Sequence, residues 1–179
     1  MELAISETSP LQQTQGLRCT VGRLITAEEG KRIVAIAATW AGTPYALIGA
    51  GSSKGVGGDC SGSSYKIYEE AGFRYTYQTS RTITDYIRAT HRFRKISGEA
   101  EEPLQPGDLI VWPGGHIAIH ADFLPGDRQG VNRHNQRNNM WSAYYPGGPV
   151  YGAARAEGFR RNESFEFYRY FLMPGDPGC

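Results

Sequence analysis

Between residues 26 and 40 apolar side chains recur at helical spacing, and Ile33, Ile36, Ala37 and Trp40 fall on one stripe. Thr26-Ala27-Glu28-Glu29 ahead of them is a capping box: the threonine caps and the glutamate three residues on reaches back. Gly42 and Pro44 end this helix. A second helix is expected from Asp59 or Cys60 to Gly72, a suitable C-terminal cap, with Tyr65, Tyr68 and Ala71 as its buried stripe. A third, over 82–89, turns Ile83, Tyr86 and Ile87 inward. The pattern then changes. Leu104-Gln105-Pro106-Gly107-Asp108 is turn chemistry. Leu109–Trp112 and residues 116–123 read as strands, as do 140–145 and 165–172. Helices first and strands afterwards predict an α+β fold, with N-terminal helices packed on an antiparallel β-sheet.

Residues 1–25, rich in Gln, Thr and Ser, read as an irregular lead-in, and 26–179 as a single domain. At 179 residues the chain is long enough to bury a core without staples. Residues 49–58 are glycine-rich but lack the Gly-Lys-Ser/Thr ending of a phosphate loop. The polar insertion at 124–139 exceeds most loops of compact domains, which suggests a lid or a partner-binding element.

The net charge of +1 and the scattered arginines do not favour nucleic acid as a partner. The cluster Arg88, Arg92, Arg94 and Lys95 reads as a solvated helix end. No stretch approaches a membrane span. The start, Met1-Glu2-Leu3-Ala4-Ile5-Ser6-Glu7, does not read as a secretory signal, so the expectation is synthesis in the cytoplasm without one. Three cysteines, Cys19, Cys60 and Cys179, are no disulfide framework, although a Cys19–Cys179 bridge is possible. A monomer is the default.

Two segments carry chemistry. Gly57-Gly58-Asp59-Cys60-Ser61-Gly62 offers a thiol at a helix start, and Gly114-Gly115-His116-Ile117-Ala118-Ile119-His120 offers an imidazole at a strand start. The thiolate is the attacking species, and a helix N-terminus together with a nearby imidazolium can lower a cysteine pKa by several units. The same N–H groups can form an oxyanion hole. Buried cysteines are usually inert, but Asp59, Ser61 and the flanking glycines are poor neighbours for an apolar site. His116, Ala118, His120 and Asp122 share one strand face. His116 stands at the mouth, whereas His120 lies about 13 Å further along, so His116 is the expected base. A metal set of His116, Asp122 and His134 matches no strong zinc spacing, and neither metal nor cofactor is expected.

Gly42-Thr43-Pro44-Tyr45, Gly58-Asp59-Cys60-Ser61-Gly62, Leu104-Gln105-Pro106-Gly107-Asp108-Leu109-Ile110 and Gly115-His116-Ile117-Ala118-Ile119 occur in that order. This set resembles the NlpC-type papain-like cell-wall endopeptidases, over about 26–143 with a weaker tail to 172. The resemblance implies a papain-like fold and hydrolysis of amide bonds in peptidoglycan stem peptides, commonly between D-glutamate and the diamino acid. It implies Cys60 as nucleophile and His116 as base and acid. Tyr45, Asp59 and Ser61 resemble substrate-binding residues, the latter two for the stem peptide's amino end. The family's third catalytic position, often a histidine on the following strand, departs from pattern. Ser142 falls there, with His134, Asn132, Asn135 or a backbone carbonyl as alternatives.

A small wall hydrolase of this kind also resembles amidase effectors that secretion systems such as type VI inject into the periplasm of rival bacteria. That likeness implies a bacteriolytic toxin with a cognate immunity protein. A phage-associated lysin, a CHAP-type amidase cutting another stem-peptide or cross-bridge bond, and a non-catalytic wall-binding module are the competing expectations.

Overall fold

A computed structural model describes residues 19–144 and 149–179. In chain order its elements are β1 (Arg23–Leu24), α1 (Ala27–Thr39), α2 (Cys60–Glu70), α3 (Ile83–Thr90), β2 (Phe93–Ile96), β3 (Leu109–Trp112), β4 (His116–His120), β5 (Met140–Tyr144), β6 (Val150–Ala154) and β7 (Glu166–Leu172). The strands form one sheet in the order β1-β7-β3-β4-β5-β6, with β2 also paired to β7. All of its pairings are antiparallel. The fold is therefore α+β, with helices packed on an antiparallel sheet.

Local chemistry sets the helix starts. At α1 the expected capping box is present: Glu29 N–H donates to Thr26 Oγ1 at 3.2 Å, and Thr26 N–H to Glu29 Oε2 at 2.7 Å. Arg23 adds two bonds of 2.8 Å to the same carboxylate, which lowers its pKa to about 2. At α2 the cap is Asp59, whose Oδ1 accepts from Gly62 N–H at 2.7 Å. Gly72 follows that helix with φ +90°, a left-handed conformation that glycine adopts without steric cost.

Alternation along the strands divides the core in two. Leu109, Val111, Ile117, Ile119 and Trp141 face the helices, where they meet Ile33 and Ala37 of α1 and Ile67 and Tyr68 of α2. Ile110, Trp112, Ala118, Met140 and Ala154 face the other way, against Phe159, Phe165 and Phe167. The turn before β3 locks the layers together. A Cβ at Gly30 would stand 1.8 Å from Pro106 O, so α1 lies directly on that turn. Tyr68 Oη donates to Gly107 O. Asp108 is fully buried and accepts two bonds from Arg169 of β7, at 2.8 and 2.7 Å.

Several expectations need correction. Arg23–Leu24 is a strand paired with Leu172 and Phe171, so part of the expected lead-in belongs to the sheet; residues 1–18 lie outside the described residues. β2 and β6 were not expected at all. β4 ends at His120 rather than 123. Tyr145, the end of the expected 140–145 strand, is outside the described residues. The 124–139 insertion holds a 3₁₀ turn at Arg128–Gly130 and a bridge between Val131 and Arg137. A disulfide joins Cys19 to Cys179, with Cα atoms 4.7 Å apart, tying the chain before β1 to the chain beyond β7. Among the described residues no helix is long and apolar enough to cross a membrane.

Candidate active site

The start of α2 meets the start of β4. Cys60 is the first residue of α2, and its sulfur is within hydrogen-bonding reach of the Ile117 main chain, the residue after His116. The main chain of Ser61 and of Cys60 itself also lies close enough to favour the thiolate. These are donors that a helix N-terminus leaves without intrahelical partners. Gly62 N–H is unavailable, because Asp59 holds it.

These bonds do not set the outcome for the thiol. Burial, the larger effect, pushes the Cys60 pKa up; the Asp59 carboxylate pushes it further, and the main-chain donors only partly oppose them. The expectation of a lowered thiol pKa is therefore corrected: desolvation outweighs the helix terminus. His116 moves to match. Its ring is buried, with Trp112 at 5.6 Å and Phe159 at 4.8 Å between ring centroids. Burial first, and the Arg160 charge second, bring its pKa down to about 3. The resting pair is thus neutral thiol and neutral imidazole.

The other face of the imidazole is held. His116 Nε2 and Ser142 Oγ are 2.5 Å apart, and Ser142 is almost fully buried on β5. With Nε2 engaged there, Nδ1 is the remaining nitrogen. His134 is not brought to this pair: its N–H donates to Asn132 Oδ1 and its Nε2 accepts from Arg133, on the exposed insertion. Asn132 and Asn135 sit in the same turn, with Asn135 N–H donating to Asn132 O. His120 Nε2 instead meets Asp122 at 3.2 Å.

The expected substrate residues surround the sulfur. Tyr45 pairs with Gly58 in an isolated bridge, and its phenol pKa is raised by burial and by the charges of Cys60 and Asp59. Asp59 is buried and held in place: Oδ1 accepts from Gly62 N–H and Ser61 Oγ, and Oδ2 from Gly49 N–H at 2.6 Å. Ser61 Oγ also meets Tyr77 Oη at 3.0 Å. A Cβ at Gly62 would stand 2.0 Å from Gly49 O, so this glycine admits the chain's own loop rather than a substrate backbone. Tyr77 beside Ser61 was missed, and so were Phe159, Arg160 and Glu163 beside His116. Nothing in their local sequence marks them, since tertiary return of the chain brings them there.

A family model of the NlpC/P60 family matches residues 42–148. The chain belongs to the NlpC/P60 family. Membership supports a cell-wall peptidase or amidase, a hydrolase of the cysteine-peptidase type, with peptidoglycan as a plausible substrate. The NlpC/P60 match takes in Tyr45, Asp59, Cys60, Ser61, His116 and Ser142, and it ends before Phe159 and Arg160. No curated protein matches this chain in sequence.

Proposed function

We propose that this NlpC/P60 protein is a cysteine amidase/endopeptidase that cuts peptidoglycan stem peptides between D-glutamate and the diamino acid, with Cys60 as nucleophile, His116 as base and acid, and Ser142 orienting the imidazole. The observation that carries the reading is the meeting of the α2 start, which bears Cys60, with the β4 start, which bears an imidazole whose Nε2 is tied to Ser142. His116 Nδ1 accepts the thiol proton as the sulfur attacks the carbonyl carbon. The Cys60 main-chain N–H stabilises the oxyanion. The tetrahedral intermediate expels the amine, which takes the proton from His116, and water then hydrolyses the thioester by the same base. Because both groups rest neutral, proton transfer accompanies attack instead of preceding it. Asp59 and Ser61 line the pocket for the stem peptide's amino end, and Tyr45 binds substrate near the nucleophile. No metal or cofactor takes part in these steps.

Digestion of defined muropeptides by the wild type and Cys60→Ala, read by mass spectrometry, tests this. Cleavage surviving in Cys60→Ala would remove the hydrolase reading and leave a wall-binding module. Product masses reporting another stem-peptide or cross-bridge bond would favour CHAP-type or lysin chemistry.

We further propose that the protein acts in the periplasm of a rival cell as an exported antibacterial effector restrained by an immunity protein. The Cys19–Cys179 disulfide supports action in an oxidising compartment. Expression directed to the periplasm should lyse cells while cytoplasmic expression does not. Equal harmlessness in both would remove this reading.

A further inference from the structure

The chain between β6 and β7 returns over the mouth of β4. Phe159 anchors it, with ring centroids 4.8 Å from His116 and 5.5 Å from both Trp112 and Tyr144. The next residue is Arg160. Its Nε and Cζ lie 3.0 and 3.2 Å from where a Cβ at Gly115 would stand, and Glu163 Oε2 lies 2.8 Å from that point. Gly115 directly precedes His116, so the guanidinium is seated on the backbone that delivers the imidazole. It is also fixed in orientation. Arg160 Nε donates to Glu163 Oε2 at 2.6 Å, and Nη2 to Oε1 at 2.9 Å. This occupies one edge of the guanidinium fork. The edge formed by Nη1 makes no hydrogen bond among the described residues, and about a third of the side chain is exposed, at 36%. The Arg160 charge is felt by both His116 and Cys60.

A cation held rigidly beside the reacting pair, with one edge bound and the other open, is built to receive an anion. Arginine suits a carboxylate in particular, since two parallel N–H groups match its two oxygens. We propose that Arg160 is a specificity-determining residue that binds a free carboxylate on the substrate residue next to the scissile amide. This rests on the function proposed above, where the acyl group is a D-glutamate attacked at its γ-carbonyl. Such a residue carries a free α-carboxylate, and amidation to D-isoglutamine removes that charge. The residue lies outside the segment that the family model matches. A bound carboxylate also offsets the one charge that opposes protonation of His116, so the correct substrate eases the proton transfer it needs.

The test uses a pair of muropeptides that differ only in a D-glutamate carboxylate against the D-isoglutamine amide. Wild type should favour the carboxylate by about 10- to 100-fold in kcat/KM, the range for a charge-assisted hydrogen-bonded pair. Arg160→Gln should bring the ratio of the two substrates near one, chiefly through KM on the carboxylate form. Arg160→Lys keeps the charge without the fork and should give an intermediate ratio; it also serves if Arg160→Gln folds poorly by urea denaturation. Equal cleavage of the two substrates by wild type overturns the assignment, as does an unchanged ratio in either folded variant. Failure of wild type to cut either muropeptide removes the hydrolase reading and this assignment together, whereas cleavage without discrimination removes this assignment alone.

Discussion

His116 should stay neutral well into the acid range, and the fold should carry the cost. The residue is 6% exposed, and burial and Arg160 bring its pKa down to about 3. In the unfolded chain a histidine titrates at about 6.5. The native state therefore binds fewer protons than the unfolded state between these values. The stability contribution is complete above the unfolded pKa and drains away as pH falls towards the folded one. Each unit is worth about 1.4 kcal/mol, so about 2.7 kcal/mol is lost by about pH 4.5, and about 5 kcal/mol over the full gap. Against a typical domain stability of about 5–15 kcal/mol this is a large fraction. Urea denaturation of wild type and His116→Gln at about pH 7.5 and about pH 4.5 isolates the effect, because only wild type carries this titration. Groups such as Glu29, whose stabilising pairing is lost as pH falls from the ordinary carboxylate range towards about 2, act in both proteins and cancel. Wild type should lose about 2–3 kcal/mol more than the variant. Parallel losses in the two proteins would mean that His116 titrates normally and that its burial has been misjudged.

Ser142→Ala leaves the His116 Nε2 proton buried without a partner, at about 1–3 kcal/mol. The expected result is a fall in kcat of about 10- to 100-fold with KM little changed; full kcat in steady-state assays would deny Ser142 its orienting role. Asp108→Ala strips Arg169 of its buried carboxylate and should cost about 3–5 kcal/mol, read from urea midpoints, with a loss under about 1 kcal/mol contradicting the interior ion pair. Cys19→Ser opens the bridge to Cys179 and should lower stability by about 2–5 kcal/mol, given the length of chain enclosed; a Tm equal to that of wild type would show that the tether contributes nothing.

The sequence is most legible where local chemistry and tertiary structure agree. The box at Thr26–Glu29 and the cap at Asp59 mark helix starts by hydrogen bonds made within a few residues, and both are present. β3 reads as a strand because Leu109–Trp112 is an unbroken apolar run buried on both faces. β6 does not, because Val-Tyr-Gly-Ala-Ala has weak β propensity and is held by its full pairing with β5. β2 carries Arg94 and Lys95 between Phe93 and Ile96, so it reads as part of a solvated helix end, whereas the two residues belong to a strand paired with β7. At the site, Cys60 and His116 stand out through their glycine-flanked motifs. Arg160 does not, since its significance arises only when Phe159 lodges against the imidazole. The direction of the thiol shift was also out of reach, because a helix terminus is visible in sequence and the depth of burial is not.

The raised Cys60 pKa bears on chemical survival. The same molecule carries a thiol and a disulfide, and conditions that preserve the one endanger the other. Sulfenic acid formation and scrambling onto a foreign bridge both begin from the deprotonated sulfur. In the proposed mechanism the nucleophile stays protonated until substrate arrives, which makes it a poor target for peroxide and for stray exchange. The partial burial that raises its pKa thus protects it while it waits.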